Sequence, residues 1–302
     1  MNKTFFITGA FLALGCGLML TACSNEDMAD NLLQEPVEAR VSASIGSMAT
    51  RAADTQWADG DAIGITGGEY TDIRYVHSNG SWTVDDASGP IFFQTPDKVN
   101  FTAYYPQGAE TADITITAGQ QSTVPDEQTG FTPQSQIDFL YGTGTGGVST
   151  GGKVDFSFSH RMSRLVLNFI AGSDVDLADL SKYTLSGLSM TGSFNTATGE
   201  AKATGTASDL TMDAAYITSS SSSLILFPQA VADATLKVEL GGQTYTATLT
   251  FPKANAVQGL ESGYSYKYNV TIYKEELNIT TANIEPWVDA SVENGGNVDA
   301  TI

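Results

Sequence analysis

Val37-Glu38-Ala39-Arg40-Val41-Ser42-Ala43-Ser44-Ile45-Gly46 alternates apolar and polar residues with a period of two along its whole length. Successive side chains of an extended chain point to opposite faces, so this spacing predicts a half-buried strand with Val37, Ala39, Val41, Ala43 and Ile45 facing inward. The same period returns at Val99, Phe101, Ala103 and Tyr105, at Val154, Phe156, Phe158 and His160, and at Leu165, Leu167 and Phe169. It is longest in the second half at Tyr264, Tyr266, Tyr268, Val270 and Ile272, which is expected to be a central strand. Thirty glycines and long Ser/Thr tracts supply turns between short strands, and helical periodicity is nearly absent. The expected class is all-β.

Between these strands, Asp59-Gly60-Asp61 reads as a tight turn in which Gly60 takes positive φ, and Gly241-Gly242 as a hairpin turn. Leu177 to Tyr183 is expected as one short helix and Thr218 to Ser223 as loop. The glycine-rich segment Gly142 to Gly152 is expected to separate a pair of domains, with Val154 opening the second. Ser47 to Thr55 reads as an exposed loop carrying one cation, Arg51.

The 302 residues carry 34 acidic and 14 basic side chains, a net charge of −20. Nucleic-acid binding needs a basic footprint and is excluded as a function class. Hydrophobic residues are 41% of the chain, enough for a packed core rather than a solvated acidic tail.

At the N-terminus, Lys3 precedes an uncharged apolar run from Phe5 to Leu20, and Leu20-Thr21-Ala22-Cys23 follows with small residues before a cysteine. That is the pattern of a bacterial lipoprotein cleavage site, with residues 1–22 as signal peptide and Cys23 as the acylated first residue. An ordinary signal peptide or anchor helix ending in cysteine is the alternative, disfavoured by the polar Ser24-Asn25-Glu26-Asp27 directly after it. That acidic run resembles an export tag of surface lipoproteins and reads equally as a solvated tether. Several acyl chains would anchor the protein stably, at about 0.8 kcal/mol per buried CH₂. Cys16 leaves with the leader, so no disulfide is expected.

No catalytic constellation is legible. The two histidines, His77 and His160, each fall in a strand-like run, and nucleophile-elbow, metalloprotease and phosphate-loop patterns are missing. Asp174, Asp176 and Asp179 lack the glycine and distal glutamate of a calcium loop and read as an acidic turn. Neither a metal nor a cofactor is expected. Trp57, Trp82 and Trp287 sit where strands begin, run or end, which favours core packing over sugar stacking. A carboxylate pair for glycoside hydrolysis stays open by counting alone.

Seven stretches, in order along the chain, resemble the fimbrillin-like (Mfa-like) family of Bacteroides-type bacteria, whose members build type V pili. They are Leu20 to Cys23, Thr50-Arg51-Ala52, Trp57 to Gly64, Phe101 to Pro106, Asp138 to Tyr141, Val154 to Leu165, and Ile284-Glu285-Pro286-Trp287. The resemblance implies two tandem transthyretin-like β-sandwich domains, placed at 52–148 and 149–302 after a lipidated tether and removable first strand at 23–51. It also implies that an Arg-specific protease cuts between Arg51 and Ala52, releasing the strand of Val37, Ala39, Val41, Ala43 and Ile45. The groove so opened accepts a strand from another pilus subunit. Arg40 is the other nearby arginine, but cutting there would split the strand.

Within this expectation Val298-Asp299-Ala300-Thr301-Ile302 repeats the order of Val41-Ser42-Ala43-Ser44-Ile45. Val298, Ala300 and Ile302 are thus a candidate donor strand, hinged on Asn294-Gly295-Gly296-Asn297, which equally reads as a turn that tucks the tail home. The implied setting is the cell outer membrane before processing and the fimbrium after it. Partners are other pilus subunits, with host or bacterial surface ligands for a tip or accessory adhesin. The competing expectations are a monomeric surface lipoprotein that binds glycans and keeps its first strand, and a carbohydrate-active enzyme.

Overall fold

The structure is a computed structural model that describes residues 35–46, 57–87, 89–109, 113–121, 133–217 and 220–287. Among these the regular elements are strands and short 3₁₀ turns, so the protein is all-β, as its alternating pattern predicts.

The first sheet has seven strands in the order β2 (Arg40–Ile45), β10 (Lys153–His160), β9 (Leu140–Gly146), β7 (Val99–Tyr105), β3 (Ala62–Gly67), β4 (Tyr70–Ser78) and β5 (Ser81–Val84). Every pairing is antiparallel except that of β2 with β10. One face buries Ile63, Ile65, Phe101, Tyr105, Phe156 and Phe158 in a single apolar core. The sheet curls on itself so that its two outer strands, β2 and β5, come near one another. A short pair, β1 (Val37–Glu38) with β6 (Phe92–Phe93), closes one side of that core.

The second core lies between two four-stranded sheets that form a sandwich. One runs β16 (Ser221–Leu226), β11 (Ser163–Ala171), β19 (Tyr264–Ile272), β20 (Leu277–Pro286); the other β15 (Ala207–Asp213), β12 (Leu180–Ser189), β17 (Asp233–Leu240), β18 (Gln243–Thr250). The Phe169 and Tyr183 rings meet across it at 5.4 Å, and β19 is central, as its long alternation predicts. A three-stranded sheet of β8 (Ile114–Thr115), β13 (Thr191–Asn195) and β14 (Glu200–Ala203) joins the first half of the chain to the second.

Three sequence expectations need correction. Gly142, Gly144 and Gly146 are not linker: they lie within β9, in the interior of the first sheet. A Cβ on Gly142 would stand 2.8 Å from the Ser157 carbonyl oxygen, on Gly144 2.9 Å from that of Asp155, and on Gly146 2.5 Å from Val154 Cγ2. Glycine is needed there so that β10 and its two phenylalanine rings can lie flat against β9. It follows that Val154, Phe156 and Phe158, expected to open the second domain, complete the first core. Met162 and Leu165 are the first residues beyond β10 to enter the second.

Leu177 to Tyr183 is not one helix. Asp176 accepts from the Ala178 N–H at 2.9 Å and caps a single 3₁₀ turn, Leu177–Asp179, after which Leu180, Tyr183 and Leu185 are buried in a strand. The serine tract, expected as loop, becomes strand from Ser221 because its hydroxyls find partners: Ser222 Oγ lies 2.6 Å from Tyr183 Oη, and Ser221 donates to Asn168 at 2.9 Å.

Candidate functional site at the edge of the first sheet

The ten-residue alternation that decided the fold is divided between two partners. Val37 and Glu38 pair with Phe93 and Phe92, Ala39 donates to the Ile91 carbonyl at 2.8 Å, and the chain then crosses to β10. There Arg40 to Ile45 run parallel to Lys153 to Phe158 in unbroken register, with Val41 beside Val154, Ala43 beside Phe156 and Ile45 beside Phe158. Gly152, at φ 81°, lets the crossing happen, since a Cβ there would stand 2.2 Å from the Glu38 carbonyl oxygen.

The inward side is as the alternation predicts: Ala39 and Ile45 are buried, and Val37, Val41 and Ala43 are half-buried. Fully burying an isoleucine is worth about 1.5–3 kcal/mol, so Ile45 is the largest buried anchor of a strand whose other inward residues are small or partly covered. On the outward side Arg40 Nη2 donates to the Gly151 carbonyl at 2.6 Å, and the Ser42 hydroxyl donates to Asp155. The Lys153 ammonium, 2.7 Å from Asp155, and that hydroxyl together hold the carboxyl below its ordinary range.

Among the described residues β2 pairs with another strand along one side only. The amides of Arg40 and Gly46 donate to β10 at Gly152 and Phe158, so by alternation the backbone groups of Val41 and Ala43 point away from the sheet. They face a cleft of about 420 Å³ that also touches Trp57, His77, Gly80, Ser81 and Trp82. Trp57 is tied into its wall. Its indole N–H donates to the Ala43 carbonyl at 2.9 Å, and its ring meets Trp82, Phe158 and Tyr105 edge-on at 5.0, 5.2 and 5.4 Å. Sequence reasoning placed Trp57 in packing but missed its hold on the edge strand; no local pattern announces a bond across fourteen positions.

Behind Trp57, Gly60 adopts φ 96° as its turn requires, and the turn buries Asp61. Burial raises the Asp61 carboxyl pKa, against the Ala58 N–H and the Tyr105 hydroxyl, which donate to it at 2.7 and 3.0 Å. A second cleft, of about 430 Å³, is lined there by Asp61, Arg74, Tyr105 and Gln107; Arg74 already donates to Gln107 at 2.7 Å.

At the far end of β10, His160 lies 2.8 Å from Asp138 and stacks on Trp287 at 3.9 Å between ring centres. Trp82 and Trp57 are half-buried and Trp287 is buried, all three against the apolar cores. Among the described residues no group of three or more His, Cys, Asp or Glu could hold a metal ion, and Asp176 serves as the cap of its turn.

Cys23, Arg51, Ala52, Val298, Ala300 and Ile302 lie outside the described residues. Gly46 and Trp57 bound the stretch that contains Arg51. Arg40, the alternative cut site, is engaged through its backbone and its guanidinium as given above.

Comparison with known proteins gives a consistent result. A family model described as fimbrillin-like matches residues 50–287. A Bacteroides uniformis protein named "Putative fimbrium subunit Fim1C" is 29% identical over 308 positions, spanning 94% of this chain and 96% of its own. A crystal structure of a "putative cell adhesion protein" from Bacteroides ovatus is 32% identical, with a TM-score of 0.70, covering 84% of this chain and 99% of that one. A further one from Bacteroides uniformis, at 24% identity and a TM-score of 0.63, covers 83% and 99% and shares the fold. With its all-β cores and the match across most of its length, the chain belongs to the fimbrillin-like family.

Proposed function

We propose that the protein is a structural or accessory subunit of a cell-surface fimbrium, assembled by exchange of its first strand for one from a neighbouring subunit. The observation that carries the reading is the state of β2: an edge strand, parallel to β10, paired with that one strand among the described residues and anchored chiefly by Ile45. Parallel pairing is slightly weaker per residue than antiparallel, and a strand held this way can be withdrawn without dismantling the six behind it. Its loss leaves β10 with open backbone groups and Val154, Phe156 and Phe158 uncovered, which another strand must satisfy. The family match begins at residue 50, beyond β2, which favours the same division.

In this reading Cys23 carries the lipid that delivers the precursor to the outer membrane, and cleavage between Arg51 and Ala52 frees the segment containing β2. Val298, Ala300 and Ile302 of the next copy supply the donor side chains. The folded region is divided into two transthyretin-like domains, with the boundary moved from 148/149 to the turn after His160. The role so proposed is non-enzymatic, structural for a shaft subunit and adhesive for an accessory or tip one.

The test is the intact mass of the protein recovered from its native cell surface, with SDS-resistant ladders compared before and after boiling. A chain truncated after Asn297 serves as control. A mature N-terminus at Ala52 and a ladder lost on truncation support the reading; an acylated, uncut chain that runs only as monomer sinks it in favour of a glycan-binding lipoprotein.

A further inference from the structure

The groove beside β10 contains a recognition element that the strand-exchange reading does not itself supply. Within the cleft, the Trp57 indole N–H is directed at a backbone acceptor, the Ala43 carbonyl, at 2.9 Å. Its ring is fixed independently of β2 by Trp82, Tyr105 and Phe158, so the donor stays in place when β2 leaves. Water reaches the indole N–H while the groove is open; an incoming strand that covers it without an acceptor leaves it unsatisfied, and one with a carbonyl at that height satisfies it.

We infer that Trp57 sets the register of the incoming strand, by donating to the carbonyl of the residue that takes the Ala43 place. The occupant is the C-terminal strand of a second copy of this chain, with Ala300 at that place. The argument is one of spacing. The three positions from Val41 to Ile45 are served in the first strand by Val, Ala and Ile, and Val298, Ala300 and Ile302 repeat that order. A shift by one residue would turn the apolar side chains outward. A shift by two keeps them inward but puts Ile or Val in the Ala43 place, beside Phe156 and at the carbonyl that Trp57 holds. Trp57 thus converts a groove able to take any alternating strand into one that prefers a small residue with a free carbonyl at its middle position. The inference rests on the strand-exchange reading.

The test uses the full-length chain nicked after Arg51 by brief digestion with an Arg-specific protease, the product being checked by mass. Capture of two labelled synthetic peptides is measured, one with the sequence of residues 36–46 and one of residues 294–302, on the native protein and on Trp57→Phe. Each peptide is also made with the oxygen of the Ala43 or Ala300 carbonyl replaced by sulfur, a weaker acceptor. Capture of both peptides is expected, about fivefold weaker on Trp57→Phe, the size of one ordinary hydrogen bond. The sulfur peptides should lose a similar factor on the native protein and almost none on Trp57→Phe. Mere ring packing predicts an unchanged sulfur effect in the variant, and that result overturns the inference while leaving strand exchange standing. Capture of the first peptide but not the second removes the tail as occupant and overturns the inference; capture of neither brings down the strand-exchange reading beneath it as well.

Discussion

Ile45 on β2 lies beside Phe158 on β10, and the Gly46 amide just beyond it donates to the Phe158 carbonyl at 2.9 Å. This pair is where the edge strand is held most deeply, since Ile45 is buried while Val41 and Ala43 are half-covered. Truncating Ile45 to alanine removes the anchor without disturbing the strands behind. The cost is expected near the lower end of the usual range for such a change, about 2 kcal/mol. Urea denaturation measures it, and proteolysis of the first strand should quicken in the same variant.

Gly144 tests the close approach of β9 and β10. Alanine there places a methyl group 2.9 Å from the Asp155 carbonyl and 3.1 Å from the Phe156 ring, and neither neighbour can yield without moving β10. A loss of about 1–3 kcal/mol is expected for Gly144→Ala. Gly242, where a Cβ would meet nothing within 4 Å, serves as the comparison: Gly242→Ala should lose only what its positive φ imposes.

The buried pair Tyr183 and Ser222 tests why a serine tract forms a strand. Tyr183→Phe leaves the Ser222 hydroxyl without its partner at 2.6 Å, in a region where both side chains are almost fully buried. The expected loss is about 1–3 kcal/mol, and adding Ser222→Ala should recover some of it. A double-mutant cycle by chemical denaturation reads the coupling.

Glu261 governs a pH dependence. Burial pushes its carboxyl up, but the backbone N–H groups of Ala256, Asn255, Val257 and Ala254 donate to it and more than offset that, so it lies below its ordinary value of 4.5. A carboxyl depressed in the folded state contributes stability that is fully present above the unfolded value and is lost as pH falls through the folded one. Glu261→Gln should therefore be less stable than the native chain at neutral pH, by about 1 kcal/mol, and the gap should close as pH drops below 4.5. Asp61 acts with opposite sign: its raised carboxyl favours the folded state more as pH falls.

Much of the fold was legible because alternation reports directly on which side of a strand is buried. Val99 to Tyr105, Val154 to His160 and Tyr264 to Ile272 all lie in strands, with the expected residues inward. Reading failed where a residue type serves a purpose that its local sequence does not reveal. Glycine in Gly142 to Gly146 answers a neighbouring strand rather than a need for flexibility, and the partners of Ser221 and Ser222 come from positions far away in the chain. The same limit hid the Trp57 to Ala43 bond. The first strand was found by its period, but its break at Ala39 depends on Gly152, more than a hundred residues on.

The most direct test of strand exchange is to tether β2 to β10 and ask whether polymers still form. Ser42 and Asp155 are register partners whose side chains already touch on the exposed side of the pair, so the double variant Ser42→Cys, Asp155→Cys can form a disulfide there. The account predicts that the oxidised protein, even when cut after Arg51, keeps its first strand and gives no SDS-resistant ladder, and that a reductant restores the ladder. An oxidised, tethered protein that polymerises as well as the native chain would contradict it.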